Sequence, residues 1–293
     1  MSESSKPSYV NLSKEKLEKS TVLDVEDVIE LIPKLKGHEK LVERILHWLC
    51  VDKVNEVHSR GCDNPGAPFV KFFLNDLNIK LRIDNEQVLD NLPEGAFITV
   101  SNHPFGALDG ISLIHIIASR RPDYKVMVNM MLNYIKAMRP NFIAVDQSAS
   151  DDPEKKAVSI QGIKQAIMHV KRGKPLGFFP AGAMSKINWK GELNDREWQP
   201  NVIRLIQQLK VPVIPIFYHG TNSFLFNFLG RACWPLRSAR VPSEVWRKAN
   251  TTLHISVGDP ISAEEQQLHQ GSTEEFGEWL KSQTYALRKK YKD

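Results

Sequence analysis

Cysteine is scarce in this chain of 293 residues, and the three that occur, Cys50, Cys62 and Cys233, are odd in number and scattered. They exclude a disulfide framework and lack the short paired spacing of a zinc ribbon, so no metal site is expected and the simplest setting is a reduced compartment. Long apolar runs are missing as well. No stretch approaches the roughly 18 apolar residues of a membrane span, and the opening MSESSKPSYV has no apolar signal segment. The chain is therefore expected in the cytoplasm, with contact to a bilayer left open. No basic block is long enough to serve nucleic acid: 39 Lys and Arg against 34 Asp and Glu leave a spread excess of +5. That excess suits an anionic partner such as a membrane surface or an acidic carrier. There is no internal repeat or low-complexity tract. What remains is a globular composition, 42% hydrophobic and 25% charged, long enough for a sizeable core with appendages.

The chain divides into a polar, lysine-rich tail over residues 1–20, a helical region over 21–68, and an α/β domain over 69–293 that ends in a helix. Asp24 and Asp27 resemble a capping arrangement, and Val25, Val28, Ile29 and Ile32 give one helical face before Pro33. A second helix is expected after Gly37, with Val42, Ile45, Leu46 and Leu49 as its face and Val54 and Val57 continuing the same run. These helices either pack on the main domain or lie on a membrane. The turn-rich GCDNPGAP from Gly61 to Pro68 is the boundary candidate.

Beyond it, Phe69 to Leu74 reads as helical. Strand patterns occur at Ile79 to Ile83, Phe97 to Val100, Lys125 to Val128, Phe142 to Val145, Leu176 to Phe179, Val211 to Phe217 and Leu253 to Val257. Pro212 and Pro215 place the Val211 run at or near a sheet edge. Between strands, Glu154 to Arg172 is the clearest helix, with Ile160, Ile163, Ile167 and Val170 as its face and Gly173 as its C-cap. Glu264 to Tyr291 is a helical end with Phe276, Trp279 and Leu280 in contact. Alternation of this kind predicts a largely parallel or mixed sheet flanked by helices.

The chemistry concentrates at Phe97 to Gly110, FITVSNHPFGALDG. A buried strand ends at Ser101-Asn102, a turn carries His103, and Asp109 begins an apolar helix. His103 thus stands at the carboxyl end of a strand, the ligand-facing edge of an open α/β sheet. Histidine accepts a proton near neutral pH, and a carboxylate in reach fixes its tautomer. Pro104 and Gly106 allow the loop to fold back and bring Asp109 to the imidazole. Such a pair deprotonates a substrate hydroxyl without a covalent enzyme intermediate. On the other reading Asp109 is a helix cap and His103 a polar surface residue. Downstream, Gly177 to Ser185, GFFPAGAMS, is a strand end and small-residue loop. It either presents N–H groups around Gly182 and Ala183 to an oxyanion or is simply a tight turn.

Together, SNHPFGALDG, FFPAGAMS and VPVIPIFYHGTNS, in this order, resemble the lysophospholipid (glycerolipid) acyltransferase family over roughly Asp84 to Ile261. The form NHPxGxxDG resembles its hemolysin-like branch. The resemblance implies fatty acyl transfer from acyl-carrier protein or coenzyme A to a lyso-lipid hydroxyl, with no bound cofactor. It makes His103 the base and Asp109 its orienting partner. It also implies substrate contact from Asn102, Pro104, Gly106, Gln147, Pro180, Ala181, Gly182, Ala183, Met184 and Ser185. The implied location is the inner face of the cytoplasmic membrane, as a peripheral enzyme.

Departures from the family pattern bear on the acceptor. One more residue than is common separates His103 from Asp109. The arginines and glutamate of phosphate-acylating members are replaced at Ala144-Val145-Asp146-Gln147 and Pro180 to Ser185. Arginine forks are the usual grip on phosphate, so their loss favours a lyso-aminolipid acceptor of the glycine- or ornithine-lipid kind. Lysophosphatidic acid as acceptor, hydrolysis, and a non-catalytic lipid-binding protein are the alternatives. Lys186 or Arg139 remains available to an anion. Asn222 to Trp234, NSFLFNFLGRACW, is expected as a loop that either enters a bilayer interface, with Arg231, Arg237 and Arg240 meeting head groups, or is buried. His219 reads either as a support behind the site residues or as a core histidine, and His115 as a core histidine.

Overall fold

The computed structural model describes residues 18–146, 153–188, 191–269 and 271–290. A seven-stranded mixed sheet forms its centre, built from β1 (Lys80–Asp84), β2 (Ile98–Ser101), β3 (Lys125–Asn129), β4 (Phe142–Val145), β5 (Leu176–Phe178), β8 (Val213–Tyr218) and β9 (Thr252–Val257). The strand order is β1-β9-β8-β2-β5-β3-β4, with a separate small hairpin of β6 (Lys186–Ile187) and β7 (Leu193–Asn194). Within the seven-stranded sheet all neighbouring pairs are parallel except β8 and β9. The fold is α/β with a mostly parallel sheet, as the alternation predicts.

Helices cover both faces. One layer holds α4 (Ala67–Asp76), α6 (Ala107–Ala118) and α11 (Val241–Arg247), whose Phe73, Leu113 and Val245 join Ile214, Ile216 and Tyr218 of β8 in one core. The other holds α7 (Pro153–Lys171), α8 (Pro200–Leu209) and α13 (Thr273–Lys290), where Ala166, Ile203, Phe276 and Leu280 meet Ile98, Val100 and Val213. Every residue of β2 is buried, because it lies between β8 and β5 with a helix layer on each face. This order places the ends of β8, β2 and β5 side by side. The three motif loops that follow those strands therefore share one edge of the sheet.

Several elements differ from expectation for local reasons. β8 is an interior strand despite its prolines. The Pro215 carbonyl accepts from Gly258 N at 2.8 Å, so the nitrogen without hydrogen faces the segment where the chain leaves β9, not β2. There Gly258 leaves room, since a Cβ would lie 2.6 Å from the Pro215 ring. The second expected helix is two, α2 (Glu39–Trp48) and α3 (Val51–Gly61), because Cys50 takes a left-handed φ of 60° between them. The first, α1 (Val25–Leu31), has the expected reciprocal cap of Asp24 and Asp27. The buried stripe of α7 is Gly162, Ala166 and Val170, whereas Ile160 and Ile163 are exposed. Close approach decides this: a Cβ at Gly162 would stand 2.3 Å from the Ala144 carbonyl oxygen, so the helix sits on β4 through its smallest residues. The helical end is α12 (Ala263–Leu268) followed by α13.

Residues 1–17 of the expected tail lie outside the described residues. Glu18 pairs with Lys136 and Arg139, and Ser20 O accepts from His58 Nδ1 at 2.6 Å. The Asn222–Trp234 segment is not a loop but mostly helix, α9 (Phe224–Ala232), followed by α10 (Trp234–Ala239).

Candidate active site

Ser101 ends β2, and the chain turns sharply through His103-Pro104-Phe105-Gly106 into α6. Gly106, the N-cap, has φ +76° and ψ −115°, a conformation that excludes a side chain at low cost. The turn aims His103 Nδ1 at Asp109 Oδ2, 2.9 Å away. The same oxygen accepts from Phe105 N at 2.8 Å and Gly106 N at 2.9 Å. Three N–H donors converge on Oδ2, while Oδ1 is buried without a partner among the described residues. Burial raises the Asp109 carboxyl above its ordinary value, against the pull of His103 and the two backbone donors. Asp109 thus acts both as helix cap and as histidine partner; the two readings of the sequence coexist in one carboxylate.

Around this pair lies a frame of buried hydrogen bonds. Asn102 extends the β2–β8 pairing with its side chain: Nδ2 donates to Tyr218 O at 3.0 Å, and Oδ1 accepts from Tyr218 N at 2.7 Å. The Tyr218 hydroxyl donates to Asp109 O at 2.9 Å. On the other side Ser185 N donates to His103 O at 2.8 Å. Ser185 Oγ donates to Asp195 Oδ1 at 2.5 Å, and His103 N reaches both Ser185 Oγ and Asp195 Oδ1 at 3.3 Å. Trp198 Nε1 donates to Asp195 Oδ2, and burial raises the Asp195 carboxyl too. Arg237 is fully buried and donates to Ser185 O at 2.6 Å, which corrects its expected place at the head groups. Burial lowers its guanidinium to about 10.

His103 is 20% exposed and stacks on Phe179, with centroids 4.3 Å apart. Its Nε2 has no hydrogen-bond partner among the described residues, so the ring offers one nitrogen outward and holds the other inward. Asn102, Pro104, Gly106, Pro180, Ala181, Met184 and Ser185 are buried, and Gly182 and Ala183 are partly exposed. Gly182 N donates to Phe179 O at 2.9 Å, closing the tight turn that the sequence allowed. Gln147 lies outside the described residues. Lys186, next to Ser185, has its ammonium lowered by burial and by repulsion from Arg196 and Arg237. Arg139 is turned away from the site, to Asn133 O and Glu18.

Asp195, Trp198, Tyr218 and Phe179 were not singled out in the sequence reading. Tyr218 and Phe179 stand inside the quoted motifs, so their neighbourhood was visible. Asp195 is not flanked by any pattern, and its partners Ser185 and Tyr285 are brought to it only by the fold.

A histidine at a strand end is held here through Nδ1 by a buried carboxylate, with the nearby Ser185 hydroxyl turned to Asp195, an arrangement suited to taking a proton from a hydroxyl. The Acyltransferase family pattern matches residues 44–293, and the chain belongs to that family. It is an acyltransferase. It is 27% identical over 232 residues to a lyso-glycine lipid O-acyltransferase of Bacteroides thetaiotaomicron, covering 75% of this chain and 79% of that one. A second lyso-glycine lipid O-acyltransferase, from Phocaeicola vulgatus, is 26% identical over 251 residues, 80% of this chain and 85% of the other. Among solved structures, the 1-acyl-sn-glycerophosphate acyltransferase PlsC of Thermotoga maritima aligns with a TM-score of 0.48 at 12% identity, over 86% of this chain and 90% of that one.

Proposed function

We propose that this acyltransferase moves a fatty acyl chain from an acyl-carrier-protein or coenzyme A thioester to the hydroxyl of a lyso-aminolipid, with His103 as general base and Asp109 as its orienting partner. The observation that carries the reading is the 2.9 Å contact of His103 Nδ1 with an Asp109 oxygen that two backbone N–H groups also fix. Because two backbone N–H groups already donate to that oxygen it carries no proton, so Nδ1 keeps its hydrogen and Nε2 has a lone pair for the acceptor hydroxyl. As Nε2 takes that proton, the acceptor oxygen attacks the thioester carbonyl carbon. The tetrahedral intermediate then expels the thiolate, which recovers the proton from Nε2. Gly182 N–H is engaged in its turn, so the oxyanion falls to the Ala183 N–H.

The acceptor class rests on the two relatives' names and on the replaced anion-holding residues. Lys186, with Arg196 and Arg237 near it, supplies positive potential for the carboxylate of an amino-acid head group. The bilayer is the natural source of such an acceptor. Phe224 is 85% exposed, and Leu225, Phe228 and Leu236 are exposed beside it on α9 and α10, while Phe226 turns inward. We assign this helical face to the inner surface of the cytoplasmic membrane. Among the described residues no helix is long and apolar enough to cross it. Trp234 and Arg231 side chains lie outside the described ones.

The test is the purified chain on vesicles, supplied with acyl-carrier-protein and coenzyme A thioesters and, in separate reactions, lyso-glycine lipid, lyso-ornithine lipid and lysophosphatidic acid. Diacylated aminolipid is the expected product. Product from lysophosphatidic acid alone overturns the acceptor assignment, free fatty acid indicates hydrolysis, and binding without turnover marks a lipid-binding protein.

A further inference from the structure

On the α13 side of the sheet, β1, β9 and the end of β8 bring together a set of side chains for which acyl transfer has no use. Asp84 closes β1, His254 and Ser256 alternate along β9, and His219 follows the last residue of β8. Parallel pairing sets Asp84 opposite Ser256, and antiparallel pairing brings His219 N to His254 O at 3.0 Å. The two imidazoles lie almost flat on each other, with centroids 4.0 Å apart and planes 10° apart. His254 Nε2 and Ser256 Oγ, the latter at 2.9 Å, both contact Asp84 Oδ2, and His219 Nε2 is 2.7 Å from Ser256 Oγ. Two imidazole nitrogens and a carboxylate oxygen thus all lie within 4.8 Å of one another.

We propose that Asp84, His219 and His254 form a structural site for a divalent transition-metal cation of the zinc type. Two neutral imidazoles and a carboxylate are a donor set of borderline hardness, suited to zinc or cobalt and poor for calcium or magnesium. Tetrahedral ligation at about 2.0–2.1 Å puts ligand atoms roughly 3.4 Å apart, so the widest pair must draw together by about 1.4 Å at most while the hydrogen-bonded His254 Nε2 and Asp84 Oδ2 move apart. Ring rotation about the Cβ–Cγ bonds of the stacked histidines supplies that movement without shifting the strands. Ser256 Oγ or a water completes the fourth position. Arg82, more than half exposed, approaches the other carboxylate oxygen, Oδ1, at 3.8 Å, leaving Oδ2 to His254 and Ser256. The Asp84 and His254 side chains are only 15% and 10% exposed, so the cation would be held mostly out of water.

The position gives the site a purpose. It would fasten the edge strand β1 to β9 and to the end of β8, where an unaided edge is weakest. His219 also adjoins Tyr218, which is bonded to both Asn102 and Asp109. Occupancy would therefore stiffen the turn that carries His103 without touching the reacting atoms.

The experiment uses tag-free full-length protein stripped with chelator. Zinc uptake is read by competition with a chromophoric chelator, and cobalt(II) is added to follow its visible spectrum. One equivalent is expected to bind tightly, the cobalt bands to have tetrahedral intensity, and the melting temperature to rise by about 5 °C at a hundredfold excess over Kd. Asp84→Asn, His219→Gln and His254→Gln should each weaken binding at least tenfold and lose the thermal shift, since even outer-sphere losses cost about 10–100-fold. His47→Gln, at the exposed His47–Asp52 pair, should bind as the parent does. No uptake by the parent, octahedral cobalt bands, or binding lost only in His47→Gln would overturn the site. Should a histidine variant not fold, Asp84→Asn decides, because it keeps the hydrogen bonds from His254 and Ser256.

Discussion

His103 and Ser185, 82 positions apart, hold each other by reciprocal hydrogen bonds: Ser185 N donates to His103 O at 2.8 Å, and Ser185 Oγ accepts from His103 N at 3.3 Å. The turn after β2 is thereby registered on the loop after β5, and Asp195 closes the arrangement by accepting from both residues. Ser185→Ala keeps the first bond but deprives the buried Asp195 Oδ1 of its hydroxyl donor. Oδ1 then keeps only the 3.3 Å bond from His103 N, and the loss of one hydrogen bond costs about 0.5–1.5 kcal/mol, so thermal unfolding should come a few degrees earlier. Because the His103 backbone is loosened, kcat should fall while the KM for the thioester changes little.

His103→Ala removes the base and should lower turnover by about 10²-fold or more, the range general-base catalysis supplies. The ring is half-buried and covers Phe179, so melting temperature should change only modestly. Parent-like rates in this variant would end the assignment of His103.

Asp109→Asn separates catalysis from stability. An asparagine oxygen still accepts from Phe105 N and Gly106 N, so the turn should form, but the amide no longer favours the Nδ1–H tautomer and most activity should vanish. The fold raises the Asp109 carboxyl above its ordinary 3.8. The folded state therefore holds this proton more firmly than the unfolded chain does, and the resulting stability is complete below 3.8 and lost as pH climbs through the raised value. The amide has no such loss. The difference in melting temperature between variant and parent should accordingly shift in the variant's favour from pH 4 upward. A variant that unfolds at neutral pH would reduce Asp109 to a helix cap.

Much of this was legible in the sequence because it is local. The strands are apolar runs bounded by turn formers, and FITVSNHPFGALDG contains strand, turn, histidine and cap within fourteen residues. What escaped depends on distance in the chain. Pro215 argued for an edge by its missing N–H, yet Gly258, whose N–H meets the Pro215 carbonyl, lies more than forty residues away. The face of α7 was misread because bulk suggested burial, whereas β4 admits only Gly162 and Ala166. Arg237 looked like a head-group residue by its charge, but Ser185 O, Met184 O and the Phe226 ring draw it into the interior. Asp195, a buried acid whose three donors come from His103, Ser185 and Trp198, has no local pattern at all.

The α9 face should govern attachment to lipid. Phe224 and Phe228 are exposed one helical turn apart, so replacing both by Ser removes two interfacial anchors with little loss of core packing. Co-sedimentation with anionic vesicles should drop at least tenfold, and activity on vesicle-embedded acceptor should fall with it. Rates on a detergent-dispersed acceptor should stay close to those of the parent. Equal losses in both assays would place these rings in the active site instead.

Gly106→Ala tests how the first and second motifs, SNHPFGALDG and FFPAGAMS, are fitted together. The added Cβ would meet Met184 Sδ at 2.8 Å, and the φ of +76° is strained for any side chain. Backbone strain of this kind costs on the order of 1–3 kcal/mol, and the turn is the element that sets the His103–Asp109 distance. Both melting temperature and kcat should therefore fall. Pairing it with Met184→Ala removes the steric term and leaves the backbone term, at the cost of a small cavity. Part of the activity should return in the double variant, while stability stays below that of the parent. Full recovery of both would mean that the sulfur contact alone, and not the backbone conformation of Gly106, keeps this position free of a side chain.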